Sequence, residues 1–407
     1  MKFFYNLSIH LYYYLIKIAS LWNPKAKKWI QGRDEVWSTL NNKIDKNSSY
    51  IWFHCASLGE FEQGRPLIER IKRKDPAKKI IITFFSPSGY EVRKDFSSAD
   101  VVVYLPLDTQ NNAQRFLETV HVEMAFFIKY EFWNYFLSEL HKQKIETYLV
   151  SGIFRPSQVF FKHYGKWYAD ILKNFTHLYV QNEVSKELLE GINIKNVSVL
   201  GDTRFDRVHD IATQAEKIDS IEQFKGNDKL VVCGSTWPED EKVLLHYINQ
   251  SEGTKWIIAP HEVSNTHTAE LESKIQKKSI TFSNLKNSNP SDYDIVIADG
   301  YGYLTSLYKY ADIAYVGGGF GKSIHNILEA ATYGAPIIFG PKHSKFKEAL
   351  DLIKLKSAFP ANSQLEVEAL LYQLLTDEDI LNNASKRCIQ YVKENTGSTD
   401  IIIHNHL

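Results

Sequence analysis

Two carboxylates in the first half of the chain stand where strand-like runs end. Glu60 follows the apolar run YIWFHCA and precedes an amphipathic segment, and Glu131 follows MAFFIKY and stands beside Trp133. A carboxylate at a strand-to-helix turn can act as a general base when burial raises its pKa toward neutrality. It can equally be a helix-start charge that the helix dipole favours, and by position alone we prefer this simpler interpretation for Glu60. Gly59 permits close backbone approach in either case, and Trp133 suits ligand stacking or core packing.

A polar turn follows the next apolar run, KIIITFF. It contains Ser86, Pro87, Ser88 and Gly89. Hydroxyl and amide groups in such a turn can hold an anionic sugar acid. An ordinary turn is the more common explanation of this composition.

In the second half of the chain, strand-like runs also end in residues that could bind a ligand, namely small hydrogen-bond donors and an imidazole. The run LVVCGST ends in Gly234, Ser235 and Thr236, which suit a phosphate, and KWIIAPH ends in Pro260 and His261. In open parallel sheets, ligands bind at the carboxyl ends of strands. We therefore expect the imidazole to lie over the same edge as the small donors.

A glycine-rich segment is the strongest local signal. Residues 317–319 (GGG) follow a predicted strand, and residues 321–323 (GKS) are predicted to open a helix that carries His325, Asn326 and Glu329. Amide groups at a helix start bind phosphate well. Glu329 would share a helical face with Asn326, three residues earlier, and grip ribose hydroxyls.

Two familiar phosphate motifs do not fit this segment. A Walker loop needs a glycine five positions before Gly321, and that position is Val316. A dinucleotide-binding fingerprint belongs in a first strand-to-helix turn, whereas this glycine triplet comes late in the chain. Both an NTPase and a dinucleotide enzyme are therefore disfavoured.

These residues would be positioned by two series of strands alternating with helices. The first series comprises YIWFHCA, KIIITFF, DVVVYLP, MAFFIKY, ETYLVSG, HLYVQN and VSVLGD; the second comprises LVVCGST, KWIIAPH, SITFSN, YDIVIAD, IAYVGGG and APIIFGP. This alternation is typical of parallel α/β sheets. Predicted domains are an N-terminal segment 1–34, a Rossmann-like domain 35–205, a linker 206–229 and a second Rossmann-like domain 230–407, whose last helix is allowed to cross back. The fold class is α/β, with two Rossmann-like domains facing a cleft.

Composition restricts the partners. The 407-residue chain carries 48 basic and 48 acidic side chains, so no global field favours nucleic acid. Cys55, Cys233 and Cys388 lie outside any metal-binding or disulfide spacing, which predicts buried thiols in a reducing, cytoplasmic setting.

The N-terminal segment is apolar and aromatic but interrupted. Phe3 to Trp22 contain polar residues, and Lys25, Lys27, Lys28 and Arg33 follow. A transmembrane helix would need about 20 predominantly apolar residues. We expect an interfacial membrane anchor, or alternatively a first helix that packs on the protein itself.

Motifs spread over residues 35 to 400 resemble the 3-deoxy-D-manno-octulosonic acid (Kdo) transferases, which move Kdo from CMP-Kdo to the lipid A precursor in Gram-negative bacteria. Residues 54–60 (HCASLGE) resemble the family's HAxSxGE, 131–133 (EFW) its ExWPN, and 201–206 (GDTRFD) its GNxKFD. Residues 234–236 match the GST turn, and Asn326 with Glu329 matches NxxE. The chain departs from the family after Trp133 and at His261, where arginine is common.

The resemblance implies a GT-B type fold, a single displacement with inversion, no metal or other cofactor, and a place on the cytoplasmic face of the inner membrane. It implies that Glu60 is the catalytic base and that Glu131 contributes to activity. Implied donor contacts are Gly59, Ser235, Thr236, Pro260, His261, Tyr301, Gly302, Gly318, Gly319, Asn326 and Glu329; candidate sugar-acid or acceptor contacts are Ser86, Ser88, Gly89 and Arg155. Two alternatives stay open: another GT-B transferase or epimerase that uses a UDP-sugar, and a non-catalytic nucleotide-sugar binding protein.

Overall fold

The structure, a computed structural model, describes residues 1–407 and divides them into two compact units. The first unit comprises Met1–Asp206 and Gly397–Leu407, and the second comprises Arg207–Thr396. Every run predicted from sequence to be a strand forms one, and each unit contains one seven-stranded sheet. The predicted α/β class with two Rossmann-like domains is confirmed.

The first unit is built around a wholly parallel sheet in the order β3-β2-β1-β4-β5-β6-β7. Its strands are β1 (Tyr50–Cys55), β2 (Lys79–Phe84), β3 (Val101–Tyr104), β4 (Val122–Ile128), β5 (Glu146–Gly152), β6 (His177–Val180) and β7 (Val197–Val199). Its helices before the second unit are α1 (Lys2–Ala19), α2 (Pro24–Asp34), α3 (Val36–Lys43), α4 (Leu58–Lys74), α5 (Pro87–Arg93), α6 (Gln110–Thr119), α7 (Asn134–Lys142), α8 (Lys166–Leu172) and α9 (Glu183–Glu190).

The central strands are apolar because helices cover both faces of the sheet. Every residue of β1 is buried. Phe53 stacks on Phe126 of β4 on one face, and Trp52 packs against Phe116 of α6 on the other. Continuous apolar strands of this kind are typical of parallel sheets buried on both sides.

The order of the strands reverses direction between β1 and β4. The chain runs outward from β1 through β2 to β3, then returns to the other side of β1 with β4. In doubly wound sheets, the crevice outside the carboxyl ends at such a reversal is where ligands bind. Glu60, in the first turn of the helix that follows β1, and Glu131, in the loop that follows β4, lie at this reversal.

The N-terminal helix α1 packs on the first unit through one of its sides and exposes the rest of its surface. Tyr5 contacts Tyr135 and Trp167, and Tyr12 contacts Trp29 and Phe85. No residue of α1 is fully buried. None of the helices combines the length and the apolar character required to cross a bilayer.

The second unit repeats the arrangement with the parallel order β10-β11-β9-β8-β12-β13-β14. Its strands are β8 (Lys229–Thr236), β9 (Thr254–Pro260), β10 (Ser279–Thr281), β11 (Ile295–Ile297), β12 (Ile313–Val316), β13 (Ile337–Phe339) and β14 (Ala358–Pro360), the last not predicted from sequence. Its helices are α11 (Asp219–Lys225), α12 (Pro238–Gln250), α13 (Asn265–Lys274), α14 (Phe282–Leu285), α15 (Leu304–Leu307), α16 (Leu328–Ala331), α17 (Lys347–Lys354), α18 (Gln364–Thr376) and α19 (Glu378–Glu394). Here β8 and β12 flank the reversal.

Residues 206–229, predicted to be the linker between the domains, are largely helical. Helix α10 (Arg204–Gln214) runs across the boundary between the units, and α11 follows it. A connection between domains can therefore be helical, and the charged composition of the segment gave no indication of its secondary structure.

The last helix, α20 (Ser398–His406), belongs to the first unit. Asp206 fastens it there: Oδ1 accepts the amide of Gly397 at 2.5 Å, and Oδ2 accepts both the amide and the hydroxyl of Thr399 at 2.7 Å. Arg70 of α4 also pairs with Asp400. The final aspartate of the GDTRFD segment therefore has a structural role.

Candidate active site

Glu60 lies in the first turn of α4. Ser57 caps this helix, and its amide donates to Oε2 of Glu60 at 2.9 Å, which completes a capping box. The helix-start interpretation of Glu60 is thus confirmed in its geometry. Gly59 is exposed, and a Cβ there would meet no atom closer than 4.0 Å, so packing within the protein does not require glycine.

The environment of Glu60 also gives it the property of a general base. Burial, followed by the negative charge of Glu131, raises the pKa of Glu60 to about 7. The charge of Lys129 and hydrogen bonds from the amides of Ser57 and Ala56 oppose the increase. A carboxylate that titrates near neutrality can take a proton efficiently at physiological pH. Glu60 thus has the raised pKa that the general-base interpretation requires, and its catalytic role stays a prediction.

Glu131 is held by two side chains. Its Oε2 lies 2.7 Å from the indole nitrogen of Trp133, which donates, and 2.9 Å from Nε2 of His54. Glu131 is 7% exposed and His54 is wholly buried. Trp133 stacks on Phe85 at 4.9 Å between ring centroids. Trp133 is therefore both a packing residue and a hydrogen-bond donor to the second carboxylate.

The predicted polar turn at residues 86–89 is instead the start of α5. Ser86 caps α5, and its hydroxyl accepts the amide of Ser88 at 3.2 Å. A Cβ at Gly89 would lie 2.3 Å from the ring of Phe84, so glycine is required here by packing. The two hydroxyl oxygens are 2.9 Å apart at the carboxyl end of β2. Their contact with a ligand stays a prediction.

Arg155 follows β5 on the same edge of the sheet. Its guanidinium carbon is 5.9 Å from the ring centroid of Tyr130, the residue before Glu131. The side chain is exposed. Its position is compatible with the predicted anion contact, which stays a prediction.

In the second unit, the turn after β8 meets the glycine-rich loop after β12. Ser235 has a positive φ of 53°, a conformation that L-residues adopt at a cost. A Cβ at Gly317 would lie 2.3 Å from the carbonyl oxygen of Ser235, so only glycine allows this approach. The hydroxyl of Thr236 donates to Glu241 at 3.0 Å, whereas the hydroxyl of Ser235 has no protein partner. Of the two, Ser235 retains a donor for a ligand.

The glycine-rich loop differs from its prediction. The amide of Gly317 donates to Gly234 and that of Gly318 to Oδ2 of Asp240, at 2.9 and 2.7 Å, so neither is available to a phosphate. No helix starts at residues 321–323; α16 begins at Leu328. The intervening amides pair with neighbouring loops instead: Ile324 donates to Lys342, and His325 to Gly317.

Glu329 and Asn326 are nevertheless in contact. The side-chain amide of Asn326 donates to Oε1 of Glu329 at 3.0 Å, although Asn326 precedes α16 rather than sharing its face. The hydroxyl of Thr305 donates to Oε2 at 2.7 Å. Thr305 was missed from sequence, and its only signal is a place in the loop-to-helix segment after β11.

His261 lies beside the β8 turn, as expected. Its amide donates to Thr236 at 2.8 Å, and its ring lies between Trp237 and His325, with centroid distances of 4.6 and 4.3 Å. The indole of Trp237 donates to Nε2 of His325 at 3.0 Å. Burial, followed by the nearby His261, lowers the pKa of His325 to about 4. Trp237 and His325 complete this group of rings; the sequence analysis named His261 as a donor contact and His325 as part of a predicted helix, and it did not identify Trp237.

The remaining residues that were predicted to contact the sugar donor also lie at the carboxyl ends of the strands of the second sheet. Pro260 ends β9. Tyr301 follows β11, is 72% exposed and accepts the amide of Val263 at 3.1 Å, while Gly302 has a φ of 91°. Gly319 passes so close to Gly340 that a Cβ would lie 2.5 Å from its amide nitrogen. Glycine is thus required at 302 and 319 by the backbone itself.

Comparison with known proteins gives a consistent family. A family model described as 3-deoxy-D-manno-octulosonic-acid transferase (kdotransferase) matches residues 30–207. A protein named 3-deoxy-D-manno-octulosonic acid transferase from Rickettsia typhi is 28% identical, over 82% of this chain and 77% of the relative. One with the same name from Rickettsia bellii is 26% identical, over 97% of this chain and 96% of the relative.

Comparison of structures supports the fold. The crystal structure of UDP-GlcNAc 2-epimerase from Neisseria meningitidis, bound to UDP-GlcNAc, aligns with a TM-score of 0.59 and 15% identity, covering 87% of this chain and 98% of that one. At this identity the likeness concerns the fold alone, which is of the predicted GT-B type. The family model over residues 30–207 and the sequence relatives together support the 3-deoxy-D-manno-octulosonic acid transferase family and indicate that the chain is a glycosyltransferase.

Proposed function

We propose that this chain transfers Kdo from CMP-Kdo to the lipid A precursor, lipid IVA, with inversion at the anomeric carbon. The observation that carries the proposal is Glu60, a carboxylate with a pKa of about 7 at the strand reversal of the first unit. The similarity to Kdo transferases supports the choice of sugar. The first unit provides the base, and the second provides the nucleotide contacts.

The reaction is a single displacement. Glu60 accepts the proton of an acceptor hydroxyl as that oxygen forms a bond to the anomeric carbon of Kdo. The bond between this carbon and the phosphate oxygen breaks, and CMP leaves with the electron pair. Glu60 must be ionised at the start, and its pKa of about 7 keeps a substantial ionised fraction at neutral pH.

Donor binding is proposed for the carboxyl edge of the second sheet. Glu329, oriented by Thr305 and Asn326, would accept hydrogen bonds from ribose hydroxyls. The hydroxyl of Ser235 would donate to the phosphate of CMP. The neighbouring hydroxyl of Thr236 is not available for this contact, because it already donates a hydrogen bond to Glu241. Donors that are fixed before the reaction stabilise developing negative charge without reorganisation. We propose that no metal or other cofactor is required.

The acceptor lipid is proposed to be reached at a membrane surface. Helix α1 exposes large apolar side chains on the surface that does not pack on the unit: Phe3, Phe4, Leu7, Leu11, Leu15 and Ile18, each more than half exposed. Lys25, Lys27 and Lys28 follow on α2. Apolar residues with adjacent cations suit the headgroup region of an anionic bilayer. We place the protein on the cytoplasmic face of the inner membrane of a Gram-negative bacterium.

Mass spectrometry of the lipid after incubation with CMP-Kdo and lipid IVA tests the proposal. We expect a mass increase of one or more Kdo units, persisting in EDTA and absent for Glu60→Gln. A parallel reaction with UDP-GlcNAc and no CMP-Kdo controls for another sugar donor. Loss of transfer in EDTA would overturn the metal-free proposal.

The melting temperature with CMP or UDP separates the other candidates. A chain that is stabilised by UDP and not by CMP would be a UDP-sugar enzyme. A chain that is stabilised by CMP but yields no modified lipid would be a binding protein. Either result would reject Kdo transfer.

A further inference from the structure

His54 is a buried histidine of β1 to which the proposed mechanism gives no role. It is fully enclosed, at 0% exposure, yet both ring nitrogens have polar partners. Nδ1 lies 2.8 Å from the hydroxyl of Thr83 on β2, and Nε2 lies 2.9 Å from Oε2 of Glu131. The imidazole therefore bridges a neighbouring strand to the second carboxylate of the candidate site.

Counting hydrogens determines which nitrogen carries the proton. The indole of Trp52 can only donate, and it donates to the Thr83 hydroxyl oxygen at 2.8 Å. Thr83, also at 0% exposure, then has one hydroxyl hydrogen and no other acceptor than Nδ1 of His54. A proton on Nδ1 would leave that hydroxyl hydrogen buried without a partner, which is costly. The arrangement that satisfies every donor leaves Nδ1 unprotonated.

It follows that Nε2 carries the proton and donates to Glu131. The indole nitrogen of Trp133 lies 3.0 Å from the same Nε2 and 2.7 Å from Oε2 of Glu131, and its single hydrogen then goes to the carboxylate, because a protonated Nε2 cannot accept it. We infer that His54 is a positioning residue for the proposed transfer: fixed as the Nε2–H tautomer by Thr83 and Trp52, it holds the Glu131 carboxylate beside Glu60. The inference rests on the proposed function and assigns to the histidine of the HCASLGE segment a role apart from its strand packing.

Two donors converge on one oxygen of Glu131. His54 and Trp133 both reach Oε2, while Oε1 receives no hydrogen bond from the protein. Two donors to one oxygen fix the direction in which the other oxygen points.

Glu131 is one of a small set of charged and titratable groups that surround Glu60. Glu60 is faced by Glu131 and Lys129, which follow β4, and it influences the Cys55 thiol at the end of β1. The negative charge of Glu131 raises the pKa of Glu60, and the charge of Lys129 lowers it. If Glu131 were displaced or protonated, the pKa of the proposed base would fall and the base would become weaker.

Nitrogen-15 NMR of histidine-labelled protein tests the tautomer directly. Two-bond nitrogen–proton correlations distinguish a protonated Nε2 from a protonated Nδ1. At pH 7.5 we expect the His54 signal, identified by its loss in His54→Phe, to show the Nε2–H form. In Thr83→Val, which keeps the side-chain shape, we expect a mixture of tautomers. An Nδ1–H form or an imidazolium in the unmodified protein would overturn the inference.

A double-mutant cycle tests the route through Glu131. If His54 acts by holding Glu131, His54→Phe should lower kcat about tenfold alone, and by less than about twofold in a Glu131→Gln background. Equal losses in both backgrounds would indicate a general structural effect and reject the inference. Thr83→Val should lower kcat in the same background-dependent way, which covers the case in which His54→Phe does not fold.

Tyr148→Phe is a matched control for destabilisation. Tyr148 is 1% exposed, lies on β5 and donates to Glu146 at 2.9 Å. The Tyr148→Phe variant should have a lower melting temperature and an unchanged midpoint of the pH–rate profile.

If the unmodified chain does not transfer Kdo, the proposed function fails. If it does, and the cycle is additive, only the role of His54 fails.

Discussion

The indole nitrogen of Trp133 lies 2.7 Å from Oε2 of Glu131, and the same ring stacks on Phe85. Phe85 in turn stacks on Tyr12 of α1, at 6.0 Å between centroids. A row of aromatic rings thus connects the exposed N-terminal helix to a carboxylate of the candidate site. The orientation of Glu131 therefore depends on packing that begins at α1.

Glu60→Gln is expected to lower kcat by about 10²–10⁴-fold, because glutamine cannot take up the proton of the hydroxyl group on the acceptor lipid. Glutamine can still complete the capping box, so α4 should be retained. CMP-Kdo affinity, measured by calorimetry, should be almost unchanged. Glu69→Gln, which loses a partly exposed ion pair with Arg65 on the same helix, is the control and should keep its turnover. Full turnover in Glu60→Gln would remove Glu60 from the mechanism.

The same variant should be more stable than the unmodified chain in alkaline solution. The pKa of Glu60 rises from 4.5 to about 7 on folding, so the folded state binds this proton more tightly than the unfolded state. Stability should fall as the pH rises from about 4.5 to 7, by at most about 3 kcal/mol from this group. In urea unfolding, the free energy of unfolding of Glu60→Gln should exceed that of the unmodified chain at pH 8, and the difference should be smaller at pH 5. An equal difference at both pH values would contradict the raised pKa.

Glu131→Gln should move the acidic limb of the kcat/KM profile to lower pH. Activity of the unmodified chain should rise through a midpoint near pH 7, as Glu60 ionises. Removing the charge of Glu131 removes the second-largest cause of the raised pKa, so the midpoint should fall. The plateau should also fall, because a weaker base takes the proton less readily. A midpoint that does not move would show that Glu131 does not act through its charge.

Glu329→Gln is expected to weaken CMP binding about ten- to hundredfold, since hydrogen bonds to a charged group contribute about 1.5–3 kcal/mol. Turnover at saturating CMP-Kdo should change much less. Titration calorimetry with CMP measures the affinity. Glu368→Gln, on α18, loses a surface pair with His246 and is the control. A large fall in kcat with unchanged affinity would place Glu329 in the chemical step instead.

Replacing Leu11, Leu15 and Ile18 by serine should release the protein from anionic vesicles. These side chains are 54–57% exposed, so the fold should tolerate serine. Each replacement removes apolar surface that is buried only when the helix lies in the membrane. The free energy of membrane binding should therefore weaken by about 0.8 kcal/mol for each CH₂ group removed. Vesicle sedimentation measures the loss, with Val184→Ser on α9 as the exposed apolar control. Undiminished binding would favour the alternative that α1 serves only to pack on the protein.

Sequence patterns predicted the strands and the position of Glu60 because both depend on local signals: apolar runs and the residues that follow them. The start of α16 was not predictable, because Ile324 donates its amide to Lys342 in another loop and His325 donates its amide back to Gly317 in the same loop. Thr305 and Thr83 lie far in sequence from the side chains that they contact. Only the folded sheet brings these residues into contact, and a single sequence carries no record of such a pairing.

The attachment of α20 through Asp206 has a consequence for synthesis. Residues 397–407 leave the ribosome only after the whole of the second unit has been made. Until then the carboxylate of Asp206 lacks the three donors that it has in the finished protein. The first unit, although translated first, can therefore be completed only after the second has been synthesised, and a fragment cut at residue 206 would lack part of its own structure.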